Sequence, residues 1–171
     1  MKRKITMLII DVDGTLTDSS LYYDNTGNEI KKFSTKDAAA FFVAHDLGIK
    51  IMILTGRECI ATKKRMSELK VDFLFENIKD KKQFIHQFLL ENDMTWEQIG
   101  YIGDDLNDLA SMKLSKYSGC PSDSCQEIKN IANYVSLSKG GHGAVRDIIE
   151  HMLRMSNEWD NAVLHVYGCG I

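Results

Sequence analysis

The chain has 171 residues, 44% of them hydrophobic and 26% charged, with a net charge of −3. That length suffices for one domain with its own core, and the charge lacks the basic excess that nucleic-acid binding draws on. No apolar run approaches ~18 residues, and Met1-Lys2-Arg3-Lys4 leads straight into a strand, so neither a membrane span nor a signal peptide is expected and a cytoplasmic location follows.

The four cysteines, Cys59, Cys120, Cys125 and Cys169, show neither CxxC nor zinc spacing and are expected as free thiols. With one proline, no repeat and no low-complexity stretch, residues 1–171 are expected to form a single domain.

In chain order, Ile5, Met7, Leu8, Ile9 and Ile10 form a run suited to a strand buried on both faces of a parallel sheet. It ends in Asp11 and Asp13. Residues two apart on extended chain point the same way, so both carboxylates can face one point beyond the strand end, where open α/β sheets bind ligands. Two such charges are costly unless a cation or a shared proton sits between them. Leu21–Tyr23 and Glu29–Phe33 read as a β-hairpin around Asp24-Asn25-Thr26-Gly27-Asn28, occupying about residues 19–34.

Thr35 is expected to N-cap a helix over Asp37–Leu47, with Gly48 as its stop and Ala38, Phe41, Phe42, Val43 and Ala44 as its apolar surface. Ile49–Leu54 is the next buried strand and delivers Thr55 to its end. A basic helix from about Cys59 to Leu69 and a strand over Val71–Phe75 follow. Lys79-Asp80-Lys81-Lys82 opens a helix to about Glu91, and Thr95 with Gln98 has capping-box spacing. Ile99–Ile102 is a strand ending in the acidic cluster Asp104-Asp105-Leu106-Asn107-Asp108. A helix to Lys113, a strand over Tyr117–Cys120, a helix from about Asp123, a loop Gly140-Gly141-His142-Gly143 and a final helix Ala144–Met155 complete the pattern, before an irregular tail, about 156–171. The alternation predicts an α/β fold, a doubly wound Rossmann-like parallel sheet flanked by helices.

Four segments carry the chemistry: Asp11-Val12-Asp13-Gly14-Thr15, Leu54-Thr55-Gly56-Arg57, Asp80-Lys81, and Gly103-Asp104-Asp105-Leu106-Asn107-Asp108. In that order they resemble the four motifs of the haloacid dehalogenase superfamily, most of whose members are magnesium-dependent phosphatases. Phosphate-monoester hydrolysis needs up to ~10²¹-fold acceleration, most of it from positioning and charge neutralisation, and the motif set supplies both. The resemblance implies that Asp11 is the nucleophile and that Asp13 is general acid and then general base. It also implies that Mg2+ sits on the Asp11 and Asp104 carboxylates and the Asp13 backbone carbonyl. Asp105 and Asp108 would orient metal-bound waters or position the loop. Thr55, through its hydroxyl and backbone N–H groups, with Gly56 and Lys81, would hold the phosphoryl group.

The chain has no room for a cap domain beyond the hairpin, so the resemblance narrows to the capless subgroup. That subgroup's hairpins join subunits into a homotetramer in which neighbours complete each active site. Within it, Tyr23–Phe33, Leu54–Arg57, Gly103–Asp108 and Gly140–Asp147 resemble phosphatases of 3-deoxy-D-manno-octulosonate 8-phosphate and of nonulosonate 9-phosphates. Both substrates are phosphorylated sugar acids with a carboxylate far from the phosphate. Arginine binds a carboxylate bidentately, which makes Arg57 the first candidate for that contact and Arg65 and Arg146 the next. His142 is expected as a solvated loop histidine. Asp37-Ala38 and Glu76-Asn77 depart from the Asp-Gly and Gln-Gly usual in the octulosonate enzymes. The tail, by resemblance, reaches a neighbour's site, so that deleting Val166–Ile171 lowers turnover. Two readings compete with the phosphatase: a non-catalytic oligomerisation module related to sugar-nucleotide synthetases, and a phosphomutase, which would need a cap.

Overall fold

The first apolar run is the central strand of the computed structural model, which describes residues 5–168. In chain order the elements are β1 (Met7–Ile10), β2 (Tyr22–Tyr23), β3 (Glu29–Ile30), α1 (Asp37–Asp46), β4 (Lys50–Leu54), α2 (Ile60–Glu68), β5 (Phe73–Phe75) and α3 (Lys81–Glu91). There follow β6 (Ile99–Ile102), α4 (Leu109–Leu114), β7 (Tyr117–Cys120), α5 (Gln126–Lys129), β8 (Tyr134–Val135), α6 (Ala144–Met155) and α7 (Trp159–Tyr167). Six strands form one sheet in the order β5-β4-β1-β6-β7-β8, parallel at every pairing. The order reverses on either side of β1, which makes the sheet doubly wound.

Alternation along β1 assigns the cores. Leu8 and Ile10 face a layer with Phe41 and Val43 of α1, Ile149 and Leu153 of α6, and Trp159 of α7. Met7 and Ile9 face the other layer, with Ile85 and Leu89 of α3, Met112 of α4 and Ile128 of α5. All four β1 side chains are buried, each contributing roughly 1.5–3 kcal/mol, so a charge at Ile9 would break the sheet at its centre.

Register then sets the site. Ile10 lies opposite both Ile53 and Ile102, so β1 and β6 end level and β4 runs one residue further. Asp11, Thr55 and the loop after Ile102 therefore emerge side by side.

Several local expectations need correction. Thr35 does not cap α1: the helix starts behind Lys36, whose backbone is already helical, and has no side-chain cap there. Asp37 instead turns inward and accepts from the Arg146 N–H of α6 at 2.9 Å. Phe42 is 40% exposed, since Ala40, Phe41, Val43 and Ala44 take the buried side of α1. The helix expected from Asp123 starts at Gln126, because Asp123 is used to accept from the Gly140 N–H at 3.0 Å.

The hairpin pairs only Tyr22 with Ile30 and Tyr23 with Glu29; its turn is held by the Asp24 carboxylate, which accepts from the N–H groups of Thr26 and Asn28. Much of the tail is regular after all. Trp159, Ala162 and Val163, at helical spacing, bury α7 against the core. Val166 and Tyr167 belong to that helix, whereas 169–171, with Cys169, lie outside the described residues. Cys59, Cys120 and Cys125 are free thiols. Among the described residues no helix is long and apolar enough to cross a membrane.

Candidate active site

The Asp11 N–H continues the β1–β6 ladder to Ile102 O at 2.9 Å, which fixes the Asp11 carboxylate at the sheet's C-terminal edge. The chain then turns sharply, and the Thr17 N–H returns to Val12 O at 3.0 Å. Gly14 makes the turn possible in two ways. Its φ is +93°, and a Cβ there would fall 2.0 Å from Asp104 Oδ2. The loop can thus lie directly on the carboxylate from the neighbouring strand end, where Thr15 Oγ1 donates to Asp104 Oδ1 at 2.9 Å.

Carboxylate oxygens of Asp11, Asp104 and Asp108 all lie within 4.8 Å of one another. Into this group α3 delivers Lys81, its side chain fully buried, with Nζ 2.7 Å from both Asp11 Oδ1 and Asp108 Oδ1. Asp108 also accepts from Tyr101 OH at 2.7 Å and, through Oδ2, from the Asp104 N–H at 3.1 Å. Both Asp108 oxygens are therefore engaged by protein donors, and its place is to set Lys81 and the Asp104 loop. Asp105 caps its own loop by accepting from the Leu106 N–H at 2.8 Å.

Charge crowding dominates the electrostatics. Burial pushes the Asp11 carboxyl up to about 7, with the Asp108 charge adding and Lys81 pulling back. Burial, and then the Asp11 charge, push Asp104 up to about 8. Burial works against the Lys81 ammonium, but Asp11 and Asp108 outweigh it and raise its pKa. One lysine does not neutralise three clustered carboxylates, two of them buried. The donors are all oxygens, so the residues present fit a hard divalent cation such as magnesium held by Asp11 and Asp104.

A cleft of about 360 Å³ opens above these residues, lined by Asp11, Asp13, Thr55, Gly56 and Arg57, with Lys79, Asp105 and Asn107 on its rim. Thr55 is placed at the end of β4, but its backbone N–H is taken by Phe75 O at 3.0 Å, so only its hydroxyl remains for a ligand. That hydroxyl accepts from the Arg57 N–H at 3.3 Å. The Arg57 guanidinium reaches Glu29 at 2.7 Å and the Tyr23 hydroxyl at 3.5 Å, both on the hairpin. Arg65 and Arg146 do not line the cleft. Arg65 pairs with Glu68 at 3.2 Å and Arg146 stands 3.8 Å from Glu150. His142 is exposed yet not free, since its ring reaches Gly140 O at 2.7 Å and Lys32 Nζ at 3.2 Å.

Sequence reasoning missed two features. Lys31 of the hairpin reaches Asp13 Oδ1 and stands 3.2 Å from Glu29, its side chain 2% exposed. The signal was the two-residue spacing of Glu29 and Lys31, which puts both on one hairpin face. The second is the Gly140-Gly141 pair: a Cβ on Gly140 would fall 2.0 Å from Gly14 O, so this loop backs the turn after Asp11.

Asp11, Asp13, Lys81 and the acidic loop thus converge at the ends of three parallel strands. The sequence model of the haloacid dehalogenase-like hydrolases matches residues 8–79. The chain belongs to the haloacid dehalogenase-like hydrolases and is a phosphatase.

More particularly, it is 32% identical over 158 residues to the 3-deoxy-D-manno-octulosonate 8-phosphate phosphatase of Yersinia pestis, covering 92% of this chain and 84% of that protein. It is 31% identical over 150 residues to that of Haemophilus influenzae, covering 88% and 83%. Among solved structures, the Moraxella catarrhalis phosphatase of the same name, in complex with a magnesium ion, a phosphate ion and KDO, superposes with a TM-score of 0.90. It is 27% identical, over 95% of this chain and 94% of that one.

Proposed function

We propose that this protein hydrolyses 3-deoxy-D-manno-octulosonate 8-phosphate to the free sugar acid and phosphate. The observation that carries the reading is the buried Asp11–Lys81–Asp108 group beside Asp104, at the mouth of a cleft with Arg57 on its wall. A structural domain gains nothing from two buried carboxylates on one lysine with a third beside them, since buried charge is costly without a use. That weighs against a purely oligomerising module.

In the proposed reaction an Asp11 oxygen attacks phosphorus while the ester P–O bond breaks, and the departing alkoxide takes a proton from Asp13. Asp13, now a carboxylate, then takes a proton from the water that attacks the aspartyl-phosphate. The P–O bond to Asp11 breaks, and phosphate leaves. Lys81 holds Asp11 in place and offsets charge on the phosphoryl oxygens, as does the Thr55 hydroxyl with the Gly56 backbone. Magnesium, held by the Asp11 and Asp104 carboxylates and the Asp13 carbonyl, supplies further neutralisation of those oxygens. Asp105 and Asp108 keep the acidic loop in register with it.

Arg57 is proposed to take the sugar-acid carboxylate, which requires it to exchange Glu29 for the ligand. The hairpin leaves Leu21, Tyr22, Tyr23 and Ile30 about half exposed, which supports a homotetramer built through it. The remaining proposals are a single domain, a cytoplasmic setting and a place in lipopolysaccharide precursor synthesis. Phosphate release from the octulosonate ester, compared with nonulosonate 9-phosphates, tests the substrate. A preference for the nine-carbon esters would move the enzyme to nonulosonate synthesis.

A further inference from the structure

From the geometry we infer that Lys31 is the positioning residue of Asp13, and that Glu29 holds Lys31 in place for it. The inference rests on the phosphatase reading above and adds to it two residues that none of the four motifs contains. Glu29 and Lys31 point to the same side of the hairpin, while Ile30 between them faces solvent at 52% exposure. Lys31 is a long cation on a short surface hairpin and would ordinarily keep its ammonium in water. Here its side chain is 2% exposed and its Nζ contacts Asp13 Oδ1 and lies 3.2 Å from Glu29 Oε1. The other Glu29 oxygen, Oε2, is 2.7 Å from the Arg57 guanidinium. A continuous line of alternating charge, Arg57–Glu29–Lys31–Asp13, joins two residues of the cleft lining through the hairpin.

The consequence for chemistry lies in the geometry of a carboxyl group. With Oδ1 engaged by Lys31, Asp13 cannot swing about its side-chain bonds, and Oδ2 is the oxygen left to face the ester. General acid catalysis depends on that oxygen standing within hydrogen-bond reach of the leaving group. The hairpin therefore fixes which oxygen of Asp13 is presented to the cleft. Because Arg57 is tied to the same Glu29, capture of a carboxylate at Arg57 and the seating of Asp13 share one part.

A hairpin anchor without this role would make the same contacts, so the test must separate the two. An alkyl ester leaves as a poor alkoxide and needs the acid, whereas a nitrophenyl ester leaves readily without it. The ratio kcat/KM covers the steps through phosphoryl transfer to Asp11 and so reads this difference directly. We expect Lys31→Met to lower kcat/KM roughly 10- to 100-fold both on the sugar-acid ester and on a carboxylate-free alkyl phosphate, where Arg57 has nothing to hold, and only ~3-fold or less on p-nitrophenyl phosphate, in keeping with the ~10²–10⁴-fold worth of a positioned acid. Lys31→Arg should restore part of the alkyl-ester rate, and Glu29→Gln should show a smaller loss with the same bias.

Equal losses on the alkyl and aryl phosphates, or none on either, would overturn the inference. If Lys31→Met fails to fold, Glu29→Gln decides by the same criterion. Should the wild-type protein cleave the aryl ester but not the sugar-acid ester, the substrate reading fails on its own. The carboxylate-free alkyl phosphate then takes the sugar acid's place in the comparison.

Discussion

Asp37 offers a stability prediction independent of the catalytic site. Its side chain is buried where α1 meets the start of α6; Oδ1 accepts from the Arg146 N–H at 2.9 Å, while Oδ2 has no hydrogen-bond partner. Burial raises its pKa from 3.8 to about 6, opposed by the Arg146 N–H and then by the Arg65 and Arg146 charges. A folded-state pKa above the unfolded value means that the folded protein binds more protons between those two values. The ionised form is therefore a liability that is complete above about pH 6 and fades as pH falls toward 4.

Its size follows from the shift, at about 1.4 kcal/mol per pH unit, or about 3 kcal/mol when fully developed. Asp37→Asn keeps the acceptor for Arg146 and removes the charge, at a cost of ~1 kcal/mol or more for its unpaired amide. At about pH 8 the variant should be more stable by ~1–2 kcal/mol, equivalent to a Tm higher by roughly 2–8 °C. By about pH 5 the gap should narrow by ~1.5 kcal/mol, because part of the penalty has titrated away. Urea unfolding of both proteins at the two pH values measures this, and the Asp11 and Asp104 contributions cancel in the difference. If Asn destabilises equally at both values, Asp37 works as a paired carboxylate and the reasoning is wrong.

Three further outcomes are expected. Gly140→Ala places a Cβ 2.0 Å from Gly14 O, so the loop must shift, lowering stability by ~1–3 kcal/mol and weakening magnesium binding in calorimetry; unchanged affinity would show that the loop does not brace the site. Lys81→Met strands Asp11 and Asp108 without their counter-charge, and should cost ~3–5 kcal/mol of stability in the metal-free protein along with nearly all turnover. A variant with near-normal turnover would remove Lys81 from the mechanism. Arg57→Ala should raise KM for the sugar-acid ester ~10- to 100-fold, the worth of a charge-assisted hydrogen bond, and act far less on a carboxylate-free ester. Equal effects on both would place the carboxylate contact elsewhere.

The central strands and the acidic strand ends were legible because buried parallel strands are written as largely apolar runs, and β1 and β4 lead directly into Asp11 and Thr55 while β6 leads into the acidic loop. Register then made Asp11, Thr55 and Asp104 neighbours without any further signal. Less legible was whatever depends on contacts between distant segments. Asp37 looked like the first residue of an ordinary helix, yet its partner Arg146 is 109 positions away. Lys31 carried no motif, and its burial follows only from how the hairpin folds back on Asp13. Helix α7 is written in the spacing of Trp159, Ala162 and Val163, a pattern too short to stand out from an irregular tail. The Thr55 N–H, expected to face an anion, is instead held by Phe75 O at the end of β5.

The most direct test of the account is phosphate release from 3-deoxy-D-manno-octulosonate 8-phosphate with magnesium, set against N-acetylneuraminate and deaminoneuraminate 9-phosphates, with Asp11→Asn as the blank. Release should vanish in the variant, and the eight-carbon ester should be preferred about a hundredfold, near 2.7 kcal/mol of transition-state discrimination. Equal and feeble rates on all three esters would contradict the proposed function, leaving a working phosphatase site with a different substrate.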